Sequence, residues 1–361
     1  MLVLRPAASH IAAALTAAVL TLATCLPSEA AAGTGWQVAF RGHFGPADMH
    51  NDLLAVAAAS TTSAWAVGGT ETSGNPNVSP VAVQWNGTKW QASALPSGLI
   101  GTLSVVSAPA SDDAWAGSLI NGYLLHWNGT AWSVAKTWAK SQSGQITGIT
   151  AFSPGNVWVF GASGAFAGLG TWHLSGGTWH RSTGLAKTIS SASALSPRDM
   201  WAIGGQQEPN DTLVHYNGTS WRPVTSPALS GLRFGSVLAM SASSIWATAA
   251  TGGGTPALVH FDGQRWQSLP VTLPKPVKDL AAIAPDGHGG LWFPGPSRSA
   301  QPPRAVHRSA SGSWSASKLS AGDGLVEDLV LIPGTTSLWA AGGLQTAAGG
   351  NAVIWGHGPG T

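Results

Sequence analysis

Three aspartates introduce similar apolar runs: Asp52 in "NDLLAV", Asp279 in "KDLAAI" and Asp328 in "EDLVLI". Glu327 adjoins the last of them and Asp323 lies just upstream, while His43, Asp48 and His50 lead into the first. Carboxylates gathered in this way suit a hard cation such as Ca²⁺, or a ligand bearing hydroxyl or amino groups. The alternative is that each aspartate caps its own strand through nearby backbone N–H groups, which needs no ligand. The choice depends on whether the chain brings the three runs to one place.

Histidine and tryptophan recur at fixed spacing. His126, His173, His215 and His260 each stand six residues before a tryptophan; Gln84 takes that place once, and His307 stands seven before. Imidazoles ligate zinc only when their nitrogens converge to within about 2 Å of one ion. Positions repeated two strand spacings, about 10 Å, outside the innermost strand diverge too far for that, so packing and hydrogen bonding between units is the expected role. Asn86-Gly87, Asn128-Gly129 and Asn217-Gly218, the second within "LLHWNGTAW", are two-residue hairpin signals because both residues tolerate positive φ. The N-x-T glycosylation pattern then arises incidentally. Trp138, in the polar stretch "KTWAKSQSGQ", falls outside the repeat and is the best single stacking candidate, with anchoring of a loop as the alternative. No G-x-S-x-G, H-E-x-x-H or phosphate-binding glycine loop is present.

The elements that position these residues are short and repetitive. Tryptophan-led runs at Trp65, Trp115, Trp158, Trp201, Trp246, Trp292 and Trp339 recur every 43 to 50 residues. Each follows an apolar run of small residues and precedes a Gly/Pro/Ser loop, a third apolar run such as "YLLHW" or "TLVHY", and a fourth run opened by another tryptophan. Runs of four to seven residues bounded by turn residues are strands, and no helical periodicity appears. The seventh unit ends at "AVIWGHGPGT" without its fourth strand, whereas "GTGWQVAF" (33–40) sets Trp36 in the context of "GTKWQASA" (87–94). The N-terminal strand is therefore expected beside Val353 to Trp355, closing the ring and removing its open edges.

Four strands per unit of about 45 residues is the pattern of a propeller blade. The fold expected is all-β, a seven-bladed β-propeller over residues 33–361 with blades starting near 53, 102, 146, 188, 235, 279 and 328. Gly68-Gly69, Gly204-Gly205 and Gly342-Gly343, with "HYNGTSW" and "HFDGQRW", resemble kelch-like and galactose-oxidase-like propeller repeats; the turn also resembles the Asp-box of sialidase-type propellers. The resemblance implies the fold and not the activity. A galactose-oxidase-type copper radical site needs a Cys-Tyr crosslink, yet the tyrosines are Tyr123 and Tyr216 alone and the sole cysteine is Cys25. Sialidase chemistry needs a tyrosine nucleophile beside its arginines, and none accompanies Arg233, Arg298 and Arg304.

Lys+Arg 17 against Asp+Glu 15, without charge runs, leaves no footprint for nucleic acid or an anionic membrane surface. Residues 1–32 read as a secretory signal: Arg5, an apolar stretch from Ile11 to Leu26, then Ala30, Ala31 and Ala32. "LATC" also resembles a lipobox, with Cys25 as the lipidated residue in that alternative. No later segment reaches the roughly 18 apolar residues of a membrane span.

These features point to a secreted, monomeric bacterial propeller that recognises a glycan, peptide or protein without catalysis and requires no cofactor. Its interaction face is expected at residues 70–80, 136–145, 205–211, 294–304 and 318–327. Two alternatives stand: a polysaccharide lyase or hydrolase working at the channel mouth with Asp52, Asp328 and His50, and a structural envelope protein held by Cys25.

Overall fold

The computed structural model describes residues 35–72, 75–138, 144–161, 169–182, 188–205, 212–295 and 301–361, and of residues 72, 75–78 and 205 the backbone alone. The leader, Cys25 and Arg298 lie outside the described residues, as do parts of the expected interaction loops (73–74, 139–143, 206–211 and 296–300).

Seven four-stranded antiparallel sheets account for the described strands. The first contains β2 (His50–Ser60), β3 (Ser63–Thr72), β4 (Asn75–Trp85) and β5 (Trp90–Ala92). The next five run in chain order as β6 to β9 (residues 103–137), β10 to β13 (146–181), β14 to β17 (188–223), β18 to β21 (232–269) and β22 to β25 (284–318). In the seventh, β26 (Gly324–Leu331), β27 (Leu338–Gln345) and β28 (Gly350–His357) are joined by β1 (Trp36–Gly42) as the outer strand. Val38 pairs with Trp355 and Arg41 with Val353, while Trp36 itself faces His357. Trp36 thus lies two residues beyond the partners expected from the sequence, and β1 carries a bulge between Val38 and Phe40.

The repeated tryptophans hold neighbouring blades together. Trp65 of the first blade lies 4.8 and 4.9 Å from Trp127 and Trp132 of the second. Trp339 of the seventh lies 5.0 and 5.3 Å from Trp85 and Trp90 of the first. Trp201 meets Phe261 and Trp266 in the same way, and Trp292 meets Trp36 and His357. Each buried indole removes about 200 Å² of surface from water, so these seams supply much of the hydrophobic driving force.

The glycine pairs that follow Trp65 and Trp339 lie where neighbouring strands and blades approach closely. A Cβ on Gly68 or Gly342 would overlap the carbonyl oxygen of Asp52 or Leu325 on the adjacent inner strand. A Cβ on Gly69 would crowd Thr102, and one on Gly343 would overlap the Asp52 carboxylate, both from the following blade. Only a residue without a side chain fits there.

Inner strands share a device with no obvious sequence signature. Register shifts fall at Leu54, Ser104, Thr147, Ser190, Gly235 and Glu327, one bulge at the same level of six blades. Beside these bulges, side chains cross to the next inner strand: Ser104 Oγ donates to Ile146 O at 3.0 Å, Thr147 Oγ1 to Ile189 O, and Val237 N–H to Ser191 Oγ at 3.1 Å. The sixth blade departs from the pattern, since its inner strand is reduced to Ala284–Pro285 rather than beginning near 279.

Candidate functional site

The carboxylates separate into one cluster and two outliers. Asp52 is the third residue of the inner strand of the first blade, paired with Gly69, and its carboxylate seats on the bare Cα of Gly343 in the seventh. Glu327 occupies the bulge of β26, and Asp328 follows it, paired with Ala341. Gly69 and Gly343 are equivalent, so Asp52 corresponds to Leu325 and Asp328 lies three residues deeper in the channel than the sequence motif suggests. The shared "DL" dipeptide misleads because the hairpin after β26 sets the register instead.

Asp328 is committed to backbone. Its Oδ2 accepts the Val56 N–H at 3.0 Å across the seam, and Oδ1 accepts the Leu329 N–H at 2.9 Å. Burial pushes its pKa up to about 6, partly offset by those two N–H groups and reinforced by Glu327. Burial also raises Glu327, with the Asp52 charge adding to it. Asp52 is raised by burial, opposed by His50 and reinforced by Glu71. Desolvation and like charge thus favour the neutral acids at this seam.

Asp279 and Asp323 stand outside this cluster, and His50 borders it. Asp279 is exposed between the fifth and sixth blades, beside Arg233, Phe234 and Leu280 around a small cavity of about 130 Å³. Asp323 is exposed, and its carbonyl oxygen accepts Gln345 N–H. His50 is exposed beside Asp52. Among the described residues, no group of three or more His, Cys, Asp or Glu is arranged to hold a metal ion. A calcium ion at the cluster would compete with Val56 and Leu329 for the oxygens of Asp328.

Trp138 is 3% exposed, so it is a core anchor and offers no stacking face. Its indole lies edge-on to Trp172 and Trp179, each at 6.0 Å, and its backbone N–H donates to Gly122 O at 2.8 Å. Polar neighbours such as Lys136 and Thr137 give no sign of this burial in the sequence.

The histidines form structural triads. His126 stacks on Trp115 at 4.1 Å, and its Nε2 lies 2.9 Å from Asp113 Oδ1, which also accepts Trp115 Nε1–H at 2.7 Å. His173, His215, His260 and His307 repeat the stack on Trp158, Trp201, Trp246 and Trp292, with polar partners Asn156, Asp199, Ser244 and Asp286. In the Asn-Gly-Thr boxes, Asn128 Oδ1 accepts Thr130 N–H at 3.1 Å and Ala131 N–H at 3.0 Å, and Gly129 has φ of 92°. The box is a turn.

A site absent from the sequence reading lies beside the connector from β1 to β2. Asn51, 1% exposed, accepts Phe44 N–H at 2.8 Å and donates to Met49 O and Gly350 O at 3.2 and 3.1 Å. His43 adds contacts of 2.7 Å to Pro46 O and 3.1 Å to Gly350 O. The connector so fixed faces β4 and the end of β5 across a cavity of about 400 Å³, walled by Phe44, Pro46, Met49, Pro80, Val81 and Leu95 among others. None of its lining residues titrates. Thr70 contributes to the wall, is 3% exposed, and has a buried hydroxyl without a partner. The buried asparagine in "HND" is the one sequence signal that could have drawn attention here.

No protein-family model matches the chain, and no curated protein matches it. Solved structures do. YCF48 bound to D1 peptide is 13% identical, with 89% of this chain and 96% of that chain covered and a TM-score of 0.60. A catalytically inactive virginiamycin B lyase from Staphylococcus aureus, with quinupristin, is 10% identical, with 88% and 99% covered and a TM-score of 0.62. A GH74 xyloglucanase from Xanthomonas campestris is 14% identical, with 81% and 51% covered and a TM-score of 0.55. At these identities the likeness establishes the seven-bladed fold alone.

Proposed function

We propose that this chain is an exported, kelch-like recognition propeller that binds a peptide or protein segment by an apolar side chain in the pocket between Met49 and Leu95. The observation that carries this reading is the composition of that pocket: about 400 Å³, apolar, held open by a connector pinned at Asn51, and without a titratable residue. Such a cavity accepts an apolar group but has no ionisable acid or base to transform it or to activate its Ser and Thr hydroxyls. The carboxylates suited to the enzyme alternative are spent differently, since both oxygens of Asp328 hold backbone N–H groups. Among the neighbours of this fold one was solved with a peptide and another with quinupristin, which is consistent with recognition on such a frame. Export rests on the leader-like residues 1–32, and kelch-like character on the glycine pairs.

Ala92, exposed on the pocket rim, offers a test that leaves the fold intact. A peptide array probed with the full chain should return segments sharing one apolar anchor, and Ala92→Trp should abolish their capture. Capture unaffected by Ala92→Trp, or turnover of a cell-wall polysaccharide by the purified chain, would overturn the reading.

A further inference from the structure

Far from that pocket, the outer part of the seam between the fourth and fifth blades opens into a cleft of about 470 Å³. Its floor is aromatic, with Trp201, Phe261 and Trp266, and its wall includes Thr225, Ser226 and Gln264. Two guanidinium groups flank it: Arg222, from the strand Trp221–Pro223 of the fourth blade, and Arg265, from the hairpin preceding Trp266 of the fifth.

Both arginines retain unspent hydrogen-bonding capacity. Arg222 is exposed and its Nε makes one long contact, 3.4 Å, with Ser220 Oγ. Arg265 is 77% exposed and lies 3.7 Å from Asp262 Oδ2. Asp262 is occupied elsewhere: Oδ1 accepts the N–H groups of Gln264 and Arg265, each at 2.9 Å, and Oδ2 accepts Gln267 Nε2 at 2.7 Å. That carboxylate serves the hairpin, so an exposed contact of 3.7 Å leaves the Arg265 fork free for another anion. His215 also lines the cleft, with Nε2 2.8 Å from Asp199 Oδ1. The indole N–H of Trp201, a residue 7% exposed, has no partner.

The repeat supplies an internal control. Positions equivalent to Arg222 and Arg265 are Gln91 and Ala131 at the first seam, and Ser133 and Thr178 at the second. At these two positions no other seam carries two residues of the Lys/Arg class, so the pair is not a requirement of closing blades. An aromatic floor with hydroxyl and amide groups along the wall suits a polyol ring, and two free guanidinium forks add a demand for carboxylate.

We propose that the cleft lined by Trp201, Arg222, Phe261, Arg265 and Trp266 binds an acidic saccharide, with a uronate carboxylate held between the two guanidinium groups. The site is independent of the apolar pocket beside Met49, and the two can fail separately.

The test is calorimetric titration of the full chain with an oligogalacturonate, a neutral oligosaccharide of equal length, and a short poly-glutamate peptide. The oligogalacturonate should bind and weaken with added salt. Arg222→Gln and Arg265→Gln should each cost about tenfold in affinity, while Ala92→Trp leaves it unchanged. Both arginines sit at the surface, so these variants keep the fold, checked by an unaltered thermal transition. Absence of heat with the oligogalacturonate, equal binding of the neutral sugar, tighter binding of the poly-glutamate peptide, or indifference to both arginine variants would each overturn the proposal.

Discussion

The carboxylate of Asp328 accepts the Val56 N–H at 3.0 Å, so a carboxyl group fastens the last blade of the chain to the first. At the equivalent place between the fourth and fifth blades, Ser191 Oγ accepts Val237 N–H at 3.1 Å. Serine does this without a charge to desolvate. Asp328 accepts two N–H groups instead of one, and the burden is a carboxylate whose pKa rises from 3.8 to about 6.

Stability at this seam should therefore depend on pH. A carboxyl whose folded pKa is raised contributes stability that is fully present below about pH 4 and lost as pH rises through about 6. Asp52 and Glu327 are shifted in the same direction, chiefly by burial, with Glu71 adding to the shift of Asp52 and the Asp52 charge adding to that of Glu327. The difference in unfolding free energy between wild type and Asp328→Asn should change by about 2–3 kcal/mol between pH 4 and pH 7, with the wild type losing ground at the higher pH. Denaturant titrations at both values measure it. Parallel pH curves for the two proteins would refute the assignment.

Much of this architecture was legible because its signals repeat. Trp65 and its six counterparts, and hairpins such as Asn128-Gly129, specify strands by local chemistry that needs no knowledge of neighbours. Asp328 was misplaced because its level depends on how β26 pairs with β27, which the residues of one strand do not encode. Trp138 was misread because burial depends on Trp172 and Trp179 from another blade. The pocket beside Met49 was invisible because connector, third strand and outer strand meet only after the ring closes.

Close approach of adjacent strands predicts a sharp contrast between two glycines. Gly68→Ala places a methyl group on the carbonyl oxygen of Asp52, backbone that cannot yield without disturbing the bulge at Leu54. The cost should be about 2–3 kcal/mol. Gly155, with nothing within 4 Å of a notional Cβ and no positive φ, should accept alanine with a change of less than about 1 kcal/mol, in the stabilising direction. Thermal unfolding of the pair tests the packing account, and equal effects would discard it.

The repeated histidines make a further prediction through Asp113. One oxygen serves both Trp115 Nε1–H and His126 Nε2, and the aspartate is 2% exposed. Asp113→Ala strands two donors and should cost about 2–4 kcal/mol, whereas Asp113→Asn retains an acceptor and should cost less than half as much. Zinc added to either variant or to wild type should leave the transition where it is. A zinc-dependent shift abolished by His126→Ala would revive the metal reading.

Tyr123 offers the converse case, a polar group whose removal should help. It is 5% exposed, its hydroxyl has no partner, and burial pushes its pKa up to about 12. Its backbone is held independently, by N–H donation to Ser118 Oγ at 2.9 Å, so the ring remains in place when the hydroxyl is removed. Tyr123→Phe deletes a desolvated oxygen and should stabilise the chain by about 1 kcal/mol, since an unmade hydrogen bond costs more in a core than a missing group. The same substitution should abolish the phenolate absorbance titrating near pH 12. A loss of stability in Tyr123→Phe would instead mean that the hydroxyl is satisfied in solution by water held between the first and second blades.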